Sequence, residues 1–101
     1  MDLSTTPGPS RLSEAEVTFF LVEHGEWDVA DGMLVRTFEF ETFAAAIGFV
    51  ASVAVEAESM NHHPDIDIRW NKVRIALTTH DAGGLTVHDT RLATVMDVLA
   101  G

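Results

Sequence analysis

Polar and apolar positions divide the chain into seven elements. Ser13 followed by Glu16 is a capping-box pattern, and Leu12 with Val17 stands at staple spacing. Val17, Phe20, Leu21 and His24 then share one helical face, and Gly25 ends the helix. Trp27–Ala30 and Leu34–Phe40 read as strands joined at Asp31-Gly32, two residues that tolerate positive φ. In the second strand Leu34, Phe38 and Phe40 fall on one face, with Thr37 and Glu39 on the other. From about Phe43 to Asn61 the spacing is helical, with Phe43, Ile47, Val50, Ala54 and Ala57 as the predicted buried stripe. The alanines and Gly48 of this helix suggest close packing against another element.

His62-His63-Pro64 breaks that helix, because a residue before proline is pushed out of the α region. Ile66, Ile68 and Trp70 alternate with Asp67 and Arg69, and a second alternation runs from Val73 to His80. Asn71-Lys72 is predicted as the two-residue turn between them. Asp81–Gly84 reads as a loop. Thr86 and Asp89 form another capping box, opening a last helix with Leu92, Val95, Met96 and Leu99 as its stripe. The order α-β-β-α-β-β-α predicts an α+β fold: a four-stranded antiparallel sheet covered on one face by helices.

The 101 residues make one domain, predicted to span 12–101 after a flexible N-terminal tail at 1–11. Hydrophobic residues are 47% of the chain, enough for a core. The net charge of −10, with six Lys and Arg, argues against a nucleic-acid or anionic-membrane surface, since phosphate binding needs clustered cations. With no cysteine, disulfides and thiolate zinc sites are excluded. No apolar run of about 18 residues is evident, and no basic leader precedes an apolar stretch, so a cytoplasmic protein is expected.

The chemistry is concentrated in Glu58-x3-His62-His63-Pro64-x5-Trp70-x9-His80-x8-Asp89. Imidazole both gives and takes a proton near neutral pH. Three of them with carboxylates suggest proton transfer on a small molecule. A three-histidine zinc site is the competing reading, disfavoured because adjacent side chains diverge.

The spaced set resembles the signature of the pterin-4a-carbinolamine dehydratases (4a-hydroxytetrahydrobiopterin dehydratases). Asn61, Asn71-Lys72-Val73, Thr79-His80-Asp81 and Gly84-Leu85 are also similar to the family, and the resemblance covers roughly residues 12–100. It implies a lyase that needs no cofactor or metal and dehydrates 4a-hydroxytetrahydropterin to the quinonoid dihydropterin. It also implies acid and base roles for His62 and His80, left open as to which is which, and a pterin-orienting role for His63. Glu58, Trp70 and Asp89 are the predicted substrate-binding residues. Family members are typically dimers or tetramers, so a homodimer or homotetramer is expected, with a link to aromatic amino acid hydroxylation. The alternative is a non-catalytic dimerisation or protein-binding module. The chain departs from animal members at His88, where arginine is usual, and at Trp70, where tyrosine is common.

Overall fold

The computed structural model describes residues 9–101; the rest of the predicted tail, residues 1–8, lies outside the described residues. The elements are α1 (Glu14–Glu23), β1 (Asp28–Ala30), β2 (Met33–Glu39), α2 (Phe43–Met60), β3 (Asp65–Arg69), β4 (Lys72–Leu77), a short 3-10 turn (His80–Ala82) and α3 (Val87–Ala100). The sheet is antiparallel throughout in the order β1-β2-β4-β3, which leaves β1 and β3 at the edges.

Leu34 and Phe38 of β2 and Val73, Ile75 and Leu77 of β4 are buried on one face. Ala46, Phe49, Val53 and Ala57 of α2 and Leu92, Ala93 and Met96 of α3 pack onto them as one core. The opposite face is open, with Thr37, Glu39, Lys72 and Arg74 exposed. This is the predicted α+β fold.

Both capping boxes form as read. Ser13 N–H donates to Glu16 Oε1 at 2.9 Å, and Glu16 N–H donates to Ser13 Oγ at 3.1 Å. The Ser13 backbone bond, helped by its hydroxyl, holds the Glu16 carboxyl below its ordinary 4.5. A depressed carboxyl stabilises the fold above that value, and the contribution fades as pH falls through the folded pKa. Urea unfolding should therefore show wild type more stable than Glu16→Gln at neutral pH, with the difference gone in strong acid. A difference that persists in acid would refute the capping account.

Predictions of helix face, apolar span and turn are corrected. In α2 the buried stripe is Ala46, Phe49, Val53 and Ala57, whereas Phe43, Ile47 and Ala54 are exposed. The helix is apolar nearly all round, so periodicity alone could not choose its inward side. By length and composition, with mean hydropathy 1.5 over Phe43–Met60, α2 also meets the criterion for crossing a membrane, contrary to the expectation of no such segment. Here its inward stripe is part of the domain core. On α3, Leu92 and Met96 are buried as predicted, but Leu99 is exposed and Asp89 and Ala93 complete the inward face.

The second hairpin pairs Arg69 with Lys72, so its two-residue loop is Trp70-Asn71, not Asn71-Lys72. Asn71 is buried; its Nδ2 donates to Phe40 O at 2.7 Å, and its own carbonyl accepts from Phe40 N–H at 3.0 Å. Tying Asn71 to the end of β2 leaves Trp70 as the left-handed residue, at φ 52°. Trp70 is thus a turn residue, 70% exposed, rather than a strand core residue.

Candidate active site

Three element ends meet at one end of the sheet: the C-terminus of α2, the exit of β4 and the N-terminus of α3. Asn61 adopts the left-handed conformation, φ 49°, just past α2. His62 N–H donates to Ala57 O and Asn61 N–H to Glu58 O, the paired bonds of a Schellman stop. The chain reverses there, so the two histidine rings separate.

His62 turns inward. Its Nε2 lies 2.6 Å from Asp89 Oδ1, with the imidazole 11% exposed and the carboxylate fully buried. Asp89 Oδ2 accepts from Thr86 N–H at 2.9 Å and from Thr79 Oγ1 at 2.7 Å. A carboxylate only accepts, so Thr79 spends its proton on Asp89 and takes one from Thr86 Oγ1, 2.8 Å away. Thr86 Oγ1 in turn accepts from His88 N–H. The capping box thus orients a buried carboxylate, and the carboxylate orients His62. With Nε2–H committed to Asp89, Nδ1 carries the free lone pair.

His63 turns outward, and its Nε2 pairs with Glu58 Oε1 on the surface. Glu58, predicted to bind substrate, therefore partners His63 and not His62. The two rings face different carboxylates and do not act as one ligand set. His80 is exposed and begins the 3-10 turn, because β4 stops at Leu77 and only an isolated Thr79–Gly84 bridge extends it.

A cleft of about 460 Å³ opens over His62, lined by Asn61, Thr79, Asp81, His88 and Pro9 among others. That size suits a small heterocycle. Pro9, from the stretch predicted as tail, lies at this cleft. Another groove of about 450 Å³, between α1 and α3, is more apolar and holds Phe19, Phe20 and His24. The paired acid/base groups are at the first.

The structure thus unites His62 with Asp89 and leaves His63, Glu58 and His80 exposed. It sets Trp70 at the far end of β3, five strand residues or about 17 Å from the site. Three neighbours escaped the sequence reading as site residues. Thr79 was legible as a strand end within a family-like stretch, and Thr86 as a cap. His88, whose ring centroid is 5.6 Å from that of His62, was legible only as a departure from the family pattern.

The family model for pterin 4 alpha carbinolamine dehydratase matches residues 10–99. The chain is 55% identical over 93 residues to a protein of Chloroflexus aggregans provisionally named pterin-4-alpha-carbinolamine dehydratase, covering 91% of this chain and 99% of that one. A likewise provisionally named protein of Chloroflexus aurantiacus is 54% identical over 91 residues, covering 90% and 98%. Among solved structures, a transcriptional coactivator/pterin dehydratase from Brucella melitensis superposes with TM-score 0.88 at 35% identity, over 91% of this chain and all of that one. A pterin dehydratase-like protein identified as a RuBisCO assembly factor in the alpha-carboxysome superposes with TM-score 0.62 at 26% identity, over 74% and 87%.

Proposed function

We propose a function from the fact that this chain belongs to the pterin 4 alpha carbinolamine dehydratase family: it is a hydro-lyase acting on 4a-hydroxytetrahydropterin. The observation that carries the reading is the buried Asp89 holding His62 by its Nε2–H beneath an open cleft. Dehydration breaks the C4a–O bond, removes the N5 proton and leaves a C4a=N5 double bond, with water as the second product. His62 Nδ1 is the base that takes the N5 proton. His80 is the acid that protonates the departing hydroxyl, supported by its place in the family pattern and its exposed ring. His63, held by Glu58, orients the pterin. Each positioned proton transfer contributes about 10²–10⁴-fold. The protein acts in the cytoplasm on the product of an aromatic hydroxylation, returning the pterin to its redox cycle. It works as a homodimer or homotetramer; the exposed apolar residues Phe43, Ile47 and Val55 on α2 and the free sheet edges support this.

A second reading is a protein-binding module, favoured by the coactivator and assembly-factor names of two structural relatives and by that same exposed face of α2. The test is decay of 4a-hydroxytetrahydropterin generated in situ, followed by absorbance. Wild type should exceed the spontaneous rate, and His63→Ala and His80→Ala should each lose most of that excess. No acceleration by folded wild type would favour the binding module.

A further inference from the structure

Dehydration by paired imidazoles leaves two protons out of place. In the proposed reaction the N5–H electron pair becomes the C4a=N5 bond, and its proton passes to His62 Nδ1. The C4a–O pair departs with the oxygen, which takes a proton from His80 and leaves as water. One turnover therefore ends with His62 charged and His80 neutral, and both must be reset before the next. His80 is exposed and recovers its proton from solvent. His62 has no such route. Its ring is 11% exposed and its Nε2–H is held by Asp89, so the proton on Nδ1 leaves only through the cleft.

His88 stands on that path. It is the second residue of α3, and its half-buried ring lines the same cleft as His62. The two ring centroids are 5.6 Å apart with their planes tilted by 39°, a separation of rings in direct contact. One hydrogen-bond chain fixes both residues. His88 N–H donates to Thr86 Oγ1 at 3.2 Å, and Thr86 N–H donates to the Asp89 carboxylate that holds His62. Among the described residues the His88 ring makes no hydrogen bond, so both of its nitrogens are open to a proton. Asp81, from the 3-10 turn, also lines the cleft, but a carboxylate takes an imidazolium proton less readily than a second imidazole does. Asp89 is buried, and its oxygens already accept three hydrogen bonds.

We propose that His88 relays the N5 proton from His62 to solvent. It accepts on one ring nitrogen and releases from the other, as an imidazole does near neutral pH. In each turnover one proton leaves through His88 and one enters through His80, so none is gained or lost. His88 thus acts after the bonds have broken, and neither binds the pterin nor breaks them. This relay rests on the dehydratase reading and adds to it the step that resets the site.

Kinetics separate the relay from the chemistry. With enzyme in excess, a single turnover of 4a-hydroxytetrahydropterin does not use the relay, so His88→Ala and wild type should react at the same rate. With substrate in excess in dilute buffer, and the spontaneous rate in that buffer subtracted, kcat of His88→Ala should fall about tenfold while kcat/KM stays within about twofold of wild type. Added imidazole should restore kcat of the variant to a plateau and leave wild type unchanged. His88→Gln keeps a polar side chain of similar size that does not titrate, so it should behave as His88→Ala does. A residue that only supports the fold or orients the substrate would not give this split between kcat and kcat/KM, nor the rescue.

Full kcat in both variants in dilute buffer would overturn the relay. A slowed single turnover, or a loss of kcat that imidazole does not restore, would overturn it as well. Either result, obtained beside an active wild type, leaves the dehydratase reading standing. If folded wild type does not accelerate the decay at all, the dehydratase reading falls and the relay falls with it.

Discussion

His62→Ala is expected to lower kcat for pterin dehydration by about 10²–10⁴-fold, the range for losing one positioned acid/base group. The ring is small, and its loss leaves a cavity that water can enter, so folding should survive. Asp89→Asn is the sharper test. The buried carboxylate accepts three hydrogen bonds, from His62, Thr79 and Thr86. An amide must turn its NH₂ toward one of those donors. Facing His62, it forces the other imidazole tautomer and moves the lone pair off Nδ1. Facing Thr86, it opposes a backbone N–H. We expect about a 10²-fold or greater loss in kcat from the tautomer change, with KM nearly unaltered. Nitrogen NMR of the His62 ring reads the tautomer directly. Full activity in a folded Asp89→Asn variant would show that Asp89 serves only as a cap.

Asp97→Ala is expected to give the largest loss of stability. One half-buried carboxylate on α3 accepts from Arg36 Nη1 at 2.6 Å and from Trp27 Nε1 at 2.8 Å, and lies 3.2 Å from His24 Nδ1. Those partners come from β2, the residue just before β1 and the cap that ends α1, so one side chain ties three parts of the chain to α3. His24 also stacks on Phe20 with centroids 4.2 Å apart, which seats the end of α1. Removing Asp97 strands a guanidinium and an indole N–H near the core. The cost should be about 2–4 kcal/mol, seen as a Tm fall of about 10–20 °C for a domain of this size. Asp97→Asn should recover part of it. Asp97 lies two helical turns beyond Asp89, about 12 Å along α3. The rate per folded molecule should therefore be unchanged below the transition. A loss under 1 kcal/mol in chemical denaturation would refute the hub.

Much of this was legible in the chain because it depends on local chemistry. Ser13 with Glu16 and Thr86 with Asp89 satisfy backbone donors within one helical turn, so their spacing is enough to read them. Asp31-Gly32 adopts positive φ at both positions, a property of those two residue types. The histidine set, with its gaps, carried the family resemblance that the relatives bear out at the level of the family.

What remained hidden depends on partners distant in sequence. Asn71 prefers the left-handed region as an isolated residue, yet Phe40 holds it in the sheet and passes that conformation to Trp70. The inward face of α2 was invisible because both sides are apolar, and only the sheet decides which side is covered. Glu58 stands one turn from His62, but the Schellman stop swings His63 toward it. By sequence Asp89 was a cap and, by resemblance, a substrate-binding residue, and Asp97 was not singled out; folding makes one the anchor of His62 and the other a hub. Local hydrogen bonding and side-chain periodicity act over a few residues, so the sequence alone determined the order of elements, their caps and the chemical types at the site. Which groups meet is a matter of burial, since a carboxylate removed from water must find donors wherever the fold supplies them, and only the tertiary structure decided that.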